Sequence, residues 1–592
     1  MTARNAPSQR TPARNTASNA AAEGRLPIVI GVTGHRHLRE TDLPGYRARI
    51  GELFDHLRRR YPATPLRVIS ALAEGADRVV AQLALERGYE LIVPLPLEPA
   101  DYERDFPGTV AEFRAMLQRV PPERMFVWPR GTAEGNGSAW CEDAVERDRL
   151  YAEVGAFVAE QSHILVAIWD GVPSDSGAGT ASVVALKLGR PGANAGATGK
   201  GDDGTGRTAA PRPGDARTAL DPDDSGPVYH VHAVRSGRDA PAPQQVAWLY
   251  PQDGDAALFQ MVCSRIDRFN SEKARRRVRP ELPGSEDSLL PGIESARGGD
   301  RALARAFAYA DRLAAHYQRI THRVLRLTLL LAALMALTFE VYAEVLPLRV
   351  VPLAYLSFFA LLTLVMIWHS RLDAQGRYLD YRALAEGLRV QFYWRLAGLT
   401  DNASAQYLRK QLDELRWIRE ALRATGGAPP PSAAEPQLAL QCWVHGQASY
   451  YAARARLHER RTLRLERWSR VFLATGLLAA FCLVVLWSQL EQLATWHHWA
   501  VLVMGFAPVA AALWEAYGER IGARTQANQY ARFAAIFHRA ERFITELEQE
   551  RASPSRREGE LALLRELGRE ALIENADWVL LLRDRPIALP KG

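Results

Sequence analysis

"PIVIGVTGHRHL", residues 27–38, is the stretch on which the reading of this chain turns. Pro27–Ile30 is short and β-branched, which suits a buried parallel strand, and Gly31 and Gly34 then allow a tight turn and a close approach by a neighbour. A phosphate held on backbone N–H groups explains such an ending, and so does an ordinary turn. From here to about Arg275, short β-rich runs alternate with helical ones. Strands are expected at Ile28–Gly31, Leu66–Ser70, Glu90–Pro94, Arg124–Val127, His163–Trp169 and Val228–Ala233, with helices such as Gly45–Tyr61 and Asp77–Arg87 between them. That alternation predicts an α/β, Rossmann-like parallel sheet whose ligands sit at the carboxyl ends of the strands.

At 592 residues the chain should hold several domains. Its net charge of +7 is modest, and the Arg-for-Lys bias runs along the whole length, so no stable nucleic-acid partner is expected. Cys141, Cys263, Cys442 and Cys482 are far apart, which points to a reducing compartment and neither a disulfide framework nor a zinc site. Residues 1–24 lack an apolar core and read as a disordered tail, not a signal peptide. Residues 190–227, rich in Gly, Ala, Asp and Pro, read as a disordered insertion. The P-loop-like "GANAGATGKGDDG" inside it has Asn194 where Gly is needed and Gly201 where Ser or Thr is needed. His230 and His232 share a strand face without an acidic or Cys partner nearby, and are read as structural; no metal site is expected.

The second half is different in kind. Four apolar stretches, Val324–Tyr342, Val350–Trp368, Val471–Trp487 and Trp499–Trp514, approach the roughly 20 residues a helix needs to cross a bilayer. They pair into two hairpins. Arg319, Arg323 and Arg326 precede the first hairpin and Arg371 and Arg377 follow it. Arg460, Arg461, Arg464, Arg467 and Arg470 precede the second, Arg520 and Arg524 follow it, and its loop "SQLEQLATWHH" has no Lys or Arg. By the positive-inside rule both hairpins start and finish in the cytosol, so the expectation is an all-α membrane region of two transmembrane hairpins, four spans, with the soluble mass cytoplasmic.

The hairpins also read as copies. At a spacing of 149, Arg371 meets Arg520, Leu372 meets Ile521, Ala374 meets Ala523, Tyr381 meets Tyr530 and Ala385 meets Ala534, and each copy runs on to a helical piece carrying Trp417 or Trp578. The domain order expected is therefore a ligand-binding domain at 25–275, a linker at 276–300, one hairpin module at 301–424, a Pro-rich linker at 425–440 and a second module at 441–592.

Three strand ends carry a family resemblance. "SALAEGAD", Ser70 to Asp77, resembles the Ser-Gly-Leu-Ala-x-Gly-Ile-Asp turn of the DNA processing protein A family. "SGAGT", Ser176 to Thr180, resembles the Gly-Gly-x-Gly-Thr phosphate loop of LOG-type phosphoribohydrolases. With "GVTGHR" they make residues 25–275 similar to the SLOG superfamily of Rossmann-like nucleotide-binding domains. The membrane half resembles the SLATT family of bacterial two-helix membrane effectors.

That resemblance implies a nucleotide pocket. Gly31, Thr33 and Gly34 would form one wall, with His35 or Arg36 near a phosphate, and Gly177, Gly179 and Thr180 would cradle a phosphate at a helix start. Ser70, Glu74 and Asp77 would hydrogen-bond a ribose or cap the following helix, and Asp170 would contact ribose or base, or simply make a turn. Where LOG enzymes carry their catalytic glutamate this chain has Val183, so no catalytic residue is assigned. The expectation is a bacterial inner-membrane effector, a homo-oligomer, whose pocket takes a nucleotide or ADP-ribose-type signal and whose helices permeabilise the membrane in bacterial defence or conflict. The alternative is a membrane-anchored nucleotide or nucleoside hydrolase using Glu74, Asp77 or Asp170.

Overall fold

The computed structural model describes residues 24–128, 144–172, 179–190, 225–234, 245–252, 254–275, 289, 298–408, 413–426, 434–487, 494–549 and 554–583. The expected tail before Gly24, Cys141, Gly177, most of the 190–227 insertion, most of the 276–300 linker and residues 427–433 of the Pro-rich linker lie outside them. The chain forms two compact units, residues Met1–Tyr309 with Gly387–Ala434, and residues Ala310–Glu386 with Glu435–Gly592.

The first unit is built on strands β1 (Ile28–Gly34), β2 (Leu66–Ile69), β3 (Glu90–Leu95), β4 (Met125–Val127), β5 (Ile164–Trp169), β6 (Val228–His232) and β7 (Val246–Leu249). They lie in the order β4-β3-β2-β1-β5-β6-β7, all parallel except β7, which runs antiparallel to β6. Helices α1 (Leu43–Arg60), α2 (Ala76–Glu86), α3 (Val110–Leu117), α4 (Ala144–Gln161), α5 (Thr180–Lys187) and α6 (Ala256–Arg275) accompany them. The α/β expectation therefore holds, with β7 added at the edge. β7 escaped notice because four residues, "VAWL", carry too little alternation to read as a strand.

Period-two alternation splits the core. Ile28, Ile30 and Val32 face one layer of buried side chains, and Val29 faces the other with Ile69, Leu165 and Ala167. The second layer takes one of its residues from an unexpected place. The sequence reading puts everything from 301 to 424 in the hairpin module, yet helix α10 (Arg416–Gly426) packs within the α/β unit, and its Ala424 joins the same core as Val29 and Val228. The physical cause is its apolar face. Trp417, Ile418, Ala421 and Leu422 are all buried, and each large side chain so covered contributes about 1.5–3 kcal/mol.

Polar groups fix the position of α10. The buried imidazole of His163 accepts the Val29 N–H on Nδ1 at 2.8 Å, and its Nε2 donates to the Glu420 carbonyl at 2.8 Å. Arg67 donates to the Ala424 carbonyl at 2.7 Å, and Arg416 donates to the Ser225 carbonyl at 3.1 Å. Burial holds His163 down to about 4. The Glu420 carboxyl stays low despite burial, held by the facing charges of Arg423 and Arg416.

The second unit is helical. With the numbering continued in chain order, α7 is Gly298–Glu344, of which the residues from Ala310 belong to this unit, α8 Val350–Leu372, α9 Ala374–Ala397, of which the residues up to Glu386 belong to it, α11 Gly446–Val485, α12 Ala494–Arg520, α13 Ala523–Gln549 and α14 Pro554–Arg583. Four helical segments, Arg301–Glu344, Val350–Ala397, Pro436–Val485 and Trp496–Gln549, are long and apolar enough to cross a membrane. Their apolar side chains face outward: Leu330, Phe339, Leu364, Leu477, Phe481 and Val484 are all exposed, a surface that hydrocarbon solvates and water does not. Trp468 stands just before the third stretch and Val485 ends its helix, about 26 Å apart at the helical rise, close to the thickness of a hydrocarbon core.

The copies share a joint. Asp373 and Gly522, 149 positions apart in sequence, both adopt left-handed backbone, at φ 49 and φ 62. Each ends a long apolar helix and begins the next. Arg377 donates its N–H to the Asp373 carbonyl, and Gln526 donates to the Gly522 carbonyl, again 149 apart. Tyr381 then packs on Tyr317 with ring centroids 5.9 Å apart, and Tyr530 packs on Tyr451 at 6.0 Å. The copies part company afterwards. Trp417 is buried in the α/β unit, whereas Trp578 packs on Tyr378 in the helical unit.

A protein in which a flexible linker joins residues 24–309 to 387–434 is expected to unfold in one cooperative transition, whereas residues 24–275 alone should bind a hydrophobic dye and lack that transition. Because the pKa of His163 is depressed by folding, its contribution is present above its ordinary value near 6.5 and is lost as pH falls towards about 4. Chemical denaturation of the linked protein across that window measures the loss, and His163→Ala should remove this part of the slope.

Candidate functional site

Sheet order reverses at β1, where β2 lies on one side and β5 on the other. The carboxyl ends of strands flanking such a reversal leave a crevice. Here it is a cavity of about 430 Å³, within the range of small-molecule sites.

Its floor is the end of β1 and the residues that follow it, Val32 to His37. β1 continues to Gly34, which pairs with Ile168. A Cβ at Gly34 would press on the Ala76 side chain and stand 2.5 Å from the Ile168 carbonyl oxygen, so no larger residue fits. The chain then leaves the sheet. His35 donates its N–H to Ile168 and accepts the Ala76 N–H at 3.1 Å, tying the loop to the start of α2. Gly75, at φ 84, presses against the carbonyls of His35 and Arg36. The abrupt ending thus has a packing cause as well as a cavity beside it.

The expected site residues fall into three groups. Thr33, Gly34, His35, Arg36, Asp77, Gly179 and Thr180 line the cavity. Ser70, Glu74 and Asp170 stand behind it. Ser70 holds Asp77, its hydroxyl 3.3 Å from the carboxyl; Glu74 accepts from the Thr109 hydroxyl at 3.1 Å; and Asp170 gives its N–H to His35 Nε2 at 3.0 Å and accepts the Val172 N–H, a turn. Gly31 lies inside β1, where a side chain would meet Ser162 and Val158, and Gly177 is outside the described residues. Val183, in place of a glutamate, forms part of the cavity wall.

Sequence reasoning missed the aromatic walls, Tyr102, Tyr151 and Trp169. One of them had a signal. Tyr151, Val154, Gly155 and Val158 follow the i, i+3, i+4, i+7 spacing of one helix face, and α4 turns that face to the cavity. Tyr102 sits in a one-turn helix, Pro99–Tyr102, with no periodicity to reveal it.

Charge is distributed unevenly. The Arg36 guanidinium lies over the Tyr151 ring, 5.1 Å from its centroid. Gly179, Thr180 and Ala181 open α5, whose first N–H groups have no partner within the helix, so an anion between them and Arg36 meets positive charge from both sides. Of the three carboxylates named as candidates, Asp77 alone lines the cavity. Burial pushes it up to about 7, against lowering by the Ser70 hydroxyl, the Ala73 N–H and Arg36.

In comparisons with known proteins, no family model, no curated protein and no solved structure matches this chain. The site therefore rests on its own geometry.

Asp77 supplies a test. Its pKa is raised by folding, from an ordinary value near 3.8 to about 7, so stability is full below the lower value and falls as pH rises through the higher one. The full shift corresponds to roughly 4 kcal/mol. Asp77→Asn is expected to flatten the decline between pH 4 and 7 and to exceed the unsubstituted protein in stability at pH 8, read by denaturant unfolding of the linked α/β unit.

Proposed function

We propose that this protein is a nucleotide-sensing membrane effector. The observation that carries the reading is the cavity at the sheet reversal, where Arg36 and the start of α5 flank one space and aromatic side chains wall it. A phosphate between the two cationic features and a base or sugar against Tyr102, Tyr151 or Trp169 is the ligand chemistry this favours. An ADP-ribose-type or other nucleotide signal has both parts.

The lipid-solvated hairpins are the responding element. In this reading, which the arginine flanks of both hairpins support, the α/β unit faces the cytosol at a bacterial inner membrane, and the hairpins act as a homo-oligomer to permeabilise that membrane in defence or conflict. The coupling route runs through α4 and β1. α4 lines the cavity, and the side chain of its last residue, Gln161, bonds to Asn402 at 3.2 Å. β1 ends at the cavity and is tied through His163 to α10. Both walls thus lead to the segment that follows the first hairpin. A ligand that binds one arrangement of these walls better than another shifts the population of that segment's docking.

One observation favours a second reading, a hydrolase. Asp77 titrates near neutrality beside the cavity, the condition for a general acid or base.

A thermal-shift screen of the full chain in detergent against AMP, ADP-ribose, NAD and cyclic nucleotides, with product analysis of each hit, separates the readings. The sensor requires a stabilising ligand recovered intact, with Arg36→Ala weakening it about tenfold or more, as expected for losing a charge-assisted contact to phosphate. Turnover abolished by Asp77→Asn would establish the enzyme. No shift with any of these nucleotides would remove the phosphate assignment.

A further inference from the structure

We propose that the groove at the Trp468–Trp514 end of the second hairpin binds the headgroup of phosphatidylethanolamine. This rests on the second hairpin crossing a bilayer and is independent of any nucleotide.

The groove, about 660 Å³, lies where α11, α12 and the start of α13 converge. Its charges are of both signs and are unevenly paired. Glu466 sits between Arg524, at 2.6 Å, and Arg470, at 3.6 Å, so one carboxylate serves two guanidinium groups. Both arginines are largely exposed and keep donors to spare. Glu515 and Glu519, one helical turn apart on α12, also line the groove and have no ion-pair partner among the described residues. Leu465, Leu473 and Trp514 complete it with apolar surface.

That is the pattern of one lipid class. A phosphate finds Arg470 and Arg524, which offer bidentate donors. A primary ammonium a few bonds away finds the two unpaired carboxylates, to which it can donate three hydrogen bonds. The acyl chains continue along the apolar wall, beside a tryptophan of the kind that settles at headgroup level. An anionic headgroup without an amine leaves Glu515 and Glu519 facing a like charge. A choline headgroup brings positive charge but no N–H donor.

The test uses the full chain in detergent, titrated with mixed micelles carrying palmitoyl-oleoyl phosphatidylethanolamine, phosphatidylcholine or phosphatidylglycerol, with bound lipid counted by native mass spectrometry. The expected result is one retained phosphatidylethanolamine per chain, held about tenfold more tightly than either of the others. Glu515→Gln with Glu519→Gln should abolish that preference by weakening phosphatidylethanolamine alone, and Arg470→Gln with Arg524→Gln should weaken phosphatidylethanolamine and phosphatidylglycerol together. These side chains are exposed, so circular dichroism should report unchanged helicity in both variants. Equal retention of the three lipids, preference for phosphatidylglycerol, no retained lipid, or insensitivity to both double variants overturns the proposal.

Discussion

One imidazole ties this molecule's α/β unit together. His163 stands between the amide of Val29 in the central strand and the carbonyl of Glu420 in α10, accepting from one and donating to the other. Only the neutral ring with its proton on Nε2 can do both, and burial keeps it in that form. Without it an amide of the central strand loses its acceptor and the covering helix loses a carbonyl partner, each at the cost of an unmet buried polar group. The strand held in this way is the one whose carboxyl end forms the cavity floor, so fold integrity and site geometry share a single contact.

The helical unit is organised on another principle. Its two hairpins repeat a joint: an apolar helix, one left-handed residue, then a second long helix with a tyrosine packed on another tyrosine. Glycine takes the left-handed conformation readily, and aspartate is a residue that tolerates it, so both suit the same joint at its least permissive position. What followed each joint was then used differently, one end to complete an α/β core and the other to stay among helices.

Much of this was legible in the residues. Six of the seven strands and the four apolar helices announce themselves by β-branched runs and by length, and the repeat by its fixed spacing. The cavity floor was legible from Thr33 to Arg36 because glycines flank it. The rest depends on three-dimensional proximity. Tyr102 and Trp169 come from elements whose local pattern says nothing of a shared space, and the docking of α10 is invisible because its apolar face fits an intramembrane partner, a helical partner or a sheet equally well. Gly31 shows the converse: a glycine that looks like part of a turn is needed where α4 crosses the strand.

The late position of α10 in the chain has a consequence for biosynthesis. A ribosome must translate the whole first hairpin before it makes α10, so throughout that interval the nascent α/β domain lacks the helix whose backbone carbonyls partner His163 and Arg67. Completion of the α/β domain is thereby timed to follow synthesis of the hairpin. Chains that stall or are cleaved before residue 416 carry a complete first hairpin, yet leave the His163 imidazole and the Arg67 guanidinium without their carbonyl partners.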